Sequence, residues 1–300
     1  IIKASYYFSV NRIAYIDLAS ASGLELLKET ERNPLQASTF GTGELIKNAV
    51  EKGANKIIIA CGGSATNDAG IGALTAMGFE FYDHSGIKII PAGENLIHIT
   101  DCQFPKGAEY SKVHFTILSD VTNEFHGKNG AAFVYAAQKG ASASETAELD
   151  LGLNHFATFI KNKVGIDISN IPGTGAAGGF PGSFRAFLDA ELRSGSETVL
   201  DLVRFDEIIR DADLIITGEG RFDKQSLQGK ITGKVMERAF KQDKPVVVLC
   251  GSTELKASET KFKNLQAIIA LFEEEVTLEK AKKETEKRLR DKAKLISNMF

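Results

Sequence analysis

The chain has 300 residues, 43% of them hydrophobic and 25% charged, with a formal net charge of −3 and three cysteines. That length and composition can bury one large or two ordinary cores without metal or disulfide support, and two domains are expected. The charge leaves no basic footprint for nucleic acid, and no apolar run is long enough to span a bilayer. Three widely spaced cysteines, Cys61, Cys102 and Cys250, suit buried thiols in a reducing cytoplasm.

The opening, IIKASYYFSVNRIAYIDLA, reads as strands over 4–10 and 12–18 and lacks the charged, apolar and small-residue order of a signal peptide. It also lacks an initiator Met, so the sequence is expected to begin inside a longer protein. A helix is predicted over 42–52, stopped by Gly53. A strand follows over 56–61, where Ile57, Ile58 and Ile59 read as buried on both faces of a helix-covered sheet. The next helix, 69–77, ends at Gly78. Two short strands, 79–82 and 87–90, flank DHSG as a hairpin-like pair, so a mixed sheet is expected. A buried strand over 113–118, a helix over 129–138 and a long amphipathic helix over 144–164 come next, then a helix over 184–193. Beyond Ser196, strands at 212–217, 245–250 and 265–271 alternate with a helix at 229–241, as in a doubly wound domain. The tail, 277–299, reads as a solvated helix with Glu and Lys at salt-bridge spacing.

Four loops could carry chemistry. GGSATND, residues 62–68, places Ser64, Asn67 and Asp68 directly after a buried strand, with Gly62 and Gly63 allowing close backbone approach; Asn67 or Asp68 could equally cap the following helix. SDVTN, 119–123, sets Asp120 at the end of another buried strand, where an α/β protein exposes catalytic groups, and Asn123 beside it; an Asx turn is the structural alternative for Asp120. PGTGAAGG, 172–179, contains Gly173, Thr174, Gly175, Gly178 and Gly179. As a dinucleotide fingerprint it is weak, because no good strand precedes it, but amides freed by small residues at a helix N-terminus suit phosphate. TGEGRFDKQSLQGK, 217–230, gathers Gly218, Glu219, Gly220, Arg221, Asp223, Ser226 and Lys230, a mixture able to hold anions and a cation or merely to form a charged loop with a capping residue. There is no GxxxxGK[ST] loop, GxSxG elbow, HExxH helix or protein-kinase signature, and the five histidines lack metal-ligand spacing.

With GTGELI at 41–46, QKGA at 138–141 and the late PVVVLCGS, these loops fall in an order that resembles the bacterial-type glycerate kinase family along essentially the whole sequence. The resemblance implies an α/β fold of two domains: a mixed-sheet inserted domain over 1–197 and the carboxyl part of a flavodoxin- or Rossmann-like domain over 198–300. It places the active site in the interdomain cleft. The family's usual opening, with an APDSFK-like turn and a DGGEGT-like loop, is absent from this sequence, and Ala69, Glu124 and Ala137 depart from its pattern. The implied reaction transfers the γ-phosphoryl group of ATP, with Mg2+, to D-glycerate, 2-phosphoglycerate being the expected product. In that reading Asp68 or Asp120 takes or orients the hydroxyl proton, and Arg221 and Lys230 neutralise carboxylate or phosphate. Ser64, Asn67, Asn123, Asp223 and Ser226 bind substrate; Gly173, Thr174, Gly175, Gly178, Gly179, Gly218 and Gly220 bind nucleotide; and Glu219 holds the metal. The expected partners are therefore D-glycerate and ATP, with neither nucleic acid nor membrane, and a homodimer is left open. The rival readings are an NAD-dependent oxidoreductase and a non-catalytic protein that binds a nucleotide or hydroxy acid.

Overall fold

The computed structural model describes residues 2–107, 109–224, 226–227, 230–274 and 276–297. Contacts divide the chain into two compact units, Ile1–Arg193 and Ser194–Phe300, each an α/β arrangement with its own hydrophobic core.

The first unit is organised by apolar runs that pair in parallel. β1 (Tyr7–Phe8) pairs antiparallel with β2 (Ile13–Asp17), and β2 continues in parallel to β3 (Lys56–Ala60), whose three central residues are buried. Helices α1 (Ala19–Ser22) and α2 (Phe40–Glu51) lie between β2 and β3, and α3 (Ile71–Ala76) follows β3. The GTG of α2 is a packing device: a Cβ on Gly43 would lie 2.3 Å from the Ala73 carbonyl oxygen, so the two helices touch backbone to backbone. The DHSG turn closes as expected, with Asp83 N donating to Ile87 O, but only one bridge, Tyr82 to Lys88, forms across it. The partner of β4 (Glu80–Tyr82) is instead β5 (Asp101–Gln103). Ile87 and Ile90 stay exposed, whereas Cys102 of β5 is buried opposite Phe81, so burial decides the pairing.

β6 (His114–Leu118) joins the main sheet beside β3, and β7 (Glu191–Arg193) completes the order β1-β2-β3-β6-β7. Between them run α4 (Ala131–Tyr135), α5 (Ala143–Val164) and α6 (Phe180–Leu188). Ser142 caps α5 in a reciprocal box with Glu145, and left-handed Gly165 ends it. α6 starts four residues before the predicted 184 and stops at Leu188. Pro181 sits in its first turn, Asp189 turns left-handed (φ +50°), and residues 191–193 are drawn into the sheet edge.

In the second unit β8 (Ile215–Phe222), β9 (Val246–Thr253) and β10 (Leu265–Ala270) form a parallel sheet in the order β10-β9-β8. Helices α7 (Gly195–Leu202), α8 (Phe205–Ile208), α9 (Ile231–Lys241) and α10 (Leu278–Ser297) accompany it. Predicted helix position Gly229 and the predicted tail positions 298–299 lie outside the described residues. Arg238 on α9 anchors α7 and α8 through Glu197 (2.7 Å), Asp201 (2.6 Å) and Asp206 (3.4 Å). The three cysteines are free and buried. Among the described residues no helix is long and apolar enough to cross a membrane.

Candidate functional site

Register in the first unit sets Asp17, Ala60, Leu118 and Arg193 side by side at the carboxyl ends of β2, β3, β6 and β7. The loops of interest start from this edge, the position where open parallel sheets bind ligands. Three of the four sequence-predicted loops meet there by direct bonds. Ala69 N donates to Gly178 O at 2.9 Å, which joins the 62–68 loop to the glycine loop. Gly173 N and Gly175 N both donate to Asn123 O, at 3.1 and 3.0 Å, which joins the glycine loop to 119–123.

Within the 62–68 loop the acidic residue turns inward. Asp68 is fully buried; its Oδ2 accepts from Thr39 N (2.7 Å), Thr39 Oγ1 (2.8 Å) and Gly72 N (3.2 Å), and Oδ1 from Gly70 N (3.1 Å). Burial pushes its pKa up, while the Thr39, Gly70 and Gly72 donors pull against that shift. The carboxylate thus fastens the loop to α2 and α3. Its neighbours differ. The Thr66 hydroxyl and both polar atoms of the Asn67 amide are buried and have no hydrogen-bond partner. Such groups are costly in a folded protein unless a ligand or water completes them.

A residue without an assigned role in the sequence reading completes this cluster. Lys139, the last residue of a 3-10 turn (Ala137–Lys139) after α4, is 3% exposed and donates to Ser64 Oγ at 2.8 Å and to Thr66 O at 2.7 Å. Burial lowers its pKa to about 8, opposed by the charges of Asp68 and Cys61. Burial raises the Cys61 thiol to about 12, with Asp17 adding to the shift. The sequence signal was QKGA itself: Gly140 is left-handed (φ +101°), and a Cβ there would lie 2.7 Å from Arg32 O, so the turn that seats Lys139 requires glycine.

Asp120 is exposed just beyond the end of β6. Asn123 braces the loops, accepting from Tyr135 Oη at 2.6 Å and donating to Asn129 O at 2.9 Å. The glycine loop is buried from Gly173 to Gly179, and no strand precedes it. A Cβ on Gly175 would stand 2.0 Å from Glu124 O, and one on Gly178, at φ +69°, 2.3 Å from Thr66 O. Thr174 Oγ1 donates to Ile171 O at 2.7 Å. These glycines therefore serve close packing of one loop on the other two.

The fourth loop belongs to the second unit. Its first half is strand rather than loop: residues 217–222 continue β8, because Gly218 through Phe222 keep register with β9, and a Cβ on Gly218 would lie 2.1 Å from Leu249 O. Glu219 lies 3.7 Å from Lys230 Nζ through Oε2, and its Oε1 is buried without a partner. Arg221 pairs with Glu254 at 2.7 Å and lies 3.8 Å from Asp223. Asp223 and Ser226 bond to each other, Ser226 N donating to Asp223 Oδ1 and Asp223 N to Ser226 Oγ, both at 3.1 Å. Lys230 is exposed at the start of α9. Gln225, Gln228 and Gly229 lie outside the described residues. Gly218, Glu219, Gly220 and Arg221 line a cavity of about 1080 Å³ over the carboxyl halves of β8 and β9, bordered by Ala281, Thr285 and Leu289 of α10. Among the described residues no three His, Cys, Asp or Glu side chains converge as a metal site.

The whole chain, residues 1–300, matches the model of the glycerate kinase family. The chain belongs to that family. It is similar to the glycerate kinase of Bacillus cereus, 41% identical over 301 residues and covering all of this chain and 79% of the relative. It is also similar to the glycerate 2-kinase of Escherichia coli, 43% identical over 242 residues, 80% of this chain and 64% of that protein. A crystal structure assigned as glycerate kinase 2 from Salmonella typhimurium LT2 superposes with a TM-score of 0.79 at 36% identity, over 99% of this chain and 78% of the other. The mixed α/β architecture of this glycerate kinase family member thus agrees with a solved structure as well as with its own sequence.

Proposed function

We propose that this chain transfers the γ-phosphoryl group of ATP to D-glycerate in the presence of magnesium, and that 2-phosphoglycerate is the product. The observation that carries the reading is the cluster of buried, unpartnered Thr66 and Asn67 polar atoms beside Ser64, at the carboxyl edge of a parallel sheet in a glycerate kinase family member. A small polyhydroxy acid supplies the donors and acceptors that such groups lack. Asn67 and Ser64 bind it. Asp120, exposed at the same edge, takes the proton of the attacking hydroxyl, whereas Asp68 is fully buried. Asn123 and the glycine loop hold the site in shape, so the phosphate role passes from Gly173–Gly179 to the second unit.

There Gly218 and Gly220 line the proposed nucleotide cavity, and Arg221 and Lys230 neutralise phosphate charge. Glu219 fits a magnesium site: Oε1 is buried and unpartnered, and magnesium commonly takes one or two carboxylates, with phosphate oxygens and water filling its shell. Bound there, the ion supplies charge neutralisation for the phosphates. Asp223 and Ser226 shape the turn that precedes α9.

The test is 31P NMR of ATP, magnesium and D-glycerate incubated with the protein. The expected result is a new phosphomonoester signal whose coupling to a single carbon-bound proton marks the secondary hydroxyl as the one attacked. Coupling to two protons would give 3-phosphoglycerate instead, and unchanged ATP would overturn the kinase reading.

A further inference from the structure

We propose that Lys139 is a positioning residue for the acid group of the substrate: by donating to Ser64 Oγ it commits the Ser64 hydroxyl to donate, in turn, to the substrate carboxylate. The proposal rests on the hydroxy-acid reading above and names how that acid is held.

An ammonium group can only donate. Ser64 Oγ, accepting from Lys139 at 2.8 Å, keeps its own hydrogen for donation, and among the described residues it has no acceptor for that hydrogen. Lys139 is 3% exposed, so its charge reaches a ligand through Ser64, which follows the exposed glycines Gly62 and Gly63. The second bond, to Thr66 O at 2.7 Å, fixes the loop on the other side of Ala65. Independently, the Thr66 hydroxyl (1% exposed) and the Asn67 amide (0%) await partners beside it. A hydroxyl backed by an ammonium donates more strongly than an isolated one, because polarisation accumulates along the chain of bonds.

The titratable groups that act on the Lys139 ammonium are Asp68 and Cys61, both on the segment after β3. The oxygens of Asp68 are taken up by Thr39, Gly70 and Gly72, and the thiol of Cys61 stays neutral up to about pH 12. Protonation of Lys139 changes near pH 8, and Lys139→Met tells its titration apart from that of Asp68, whose pKa burial raises. The substrate carboxylate is ionised throughout.

The test measures kcat and the KM for D-glycerate and for ATP between pH 6.5 and 9.5, in the wild type, Ser64→Ala, Lys139→Met and the double variant. Expected in the wild type is a glycerate KM that rises above about pH 8 while the ATP KM stays flat. Ser64→Ala should raise the glycerate KM about tenfold or more, the loss of one charge-assisted hydrogen bond, and flatten its pH dependence, with kcat within about threefold. Lys139→Met should do the same, and the double variant should be no worse than the poorer single one. An unchanged glycerate KM in Ser64→Ala, additive single effects, or an equal rise in the ATP KM would overturn the assignment. If Lys139→Met does not fold, Ser64→Ala and the wild-type pH profile decide. Absence of glycerate turnover in the wild type would remove the functional reading itself, whereas turnover with an unmoved KM in Ser64→Ala removes only the role of Lys139.

Discussion

Asp68 and Glu219 are both carboxylates in glycine-containing segments toward the carboxyl side of a parallel strand, and the structure treats them in opposite ways. Asp68 is fully buried, and four donors from Thr39, Gly70 and Gly72 surround it. Glu219 lies on an edge strand with one lysine 3.7 Å away and one oxygen left unpartnered. A carboxylate whose acceptor sites are filled by its own chain is a structural element, whereas one with an unfilled site is available to a ligand. The same contrast runs through the glycines. Gly175 and Gly178 are wedged against neighbouring backbone, as is Gly218, whereas nothing lies within 4 Å of a Cβ placed on Gly220.

The sharpest way to break this comparison is Asp68→Ala. Removing the carboxylate strands buried donors from two segments and leaves Lys139 without its nearby anion, at a cost of about 3–5 kcal/mol. Hydrogen exchange should show lost protection in α2 and α3 with little change in the second unit. A variant that keeps full protection would mean that the loop is held by something other than this carboxylate. Gly178→Ala comes next. A Cβ 2.3 Å from Thr66 O, at φ +69°, forces the glycine loop off its neighbour and should cost about 3 kcal/mol. Gly220→Ala should stay within about 0.5 kcal/mol, so equal losses at the two positions would erase the distinction.

Parts of the fold are legible in the sequence, the contrast between Asp68 and Glu219 is not, and the misses have physical causes. The buried run Ile57–Ile59, the long helix now bounded by Ala143 and Val164, and the chemical richness of 62–68 follow from periodicity and residue class. The extension of β8 through Gly218 and Gly220 was hidden because glycine reads as turn, and only pairing with β9 shows that Gly218 lets adjacent strands approach. Three-residue strands such as Asp101–Gln103 and Glu191–Arg193 are too short to show a period, and their partners are distant in sequence. Lys139 was overlooked for the same reason. Its significance lies in Ser64 and Thr66, seventy-five and seventy-three positions away, and QKGA marks the turn without showing that its lysine is buried.

Lys139 also gives the first unit a pH signature. Its folded pKa of about 8 lies below the ordinary lysine value of about 10.5, so between those pH values the unfolded chain binds more protons than the folded one. Stability from this group is therefore present above about pH 10.5 and lost as pH falls through about 8, a swing of about 3 kcal/mol at most. The difference in unfolding free energy between wild type and Lys139→Met should move in favour of the wild type as pH rises from 8 to 10.5. A constant difference would mean that the lysine is not the titrating group.

Arg221→Ala should also have a small structural effect. Its guanidinium is 61% exposed and paired with an even more exposed Glu254, so solvent screening leaves the bond worth less than about 1 kcal/mol. Melting should therefore barely shift. If the cavity beside β8 takes nucleotide phosphates, the same substitution should weaken ATP binding about tenfold and leave the glycerate KM unaltered. A residue that matters to a ligand and hardly at all to the fold is what the Glu219 side of the comparison requires. Asp68 is its opposite, and a stability loss at Arg221 as large as that at Asp68 would show that this part of the second unit is as fully committed to its own packing as the loop cluster of the first.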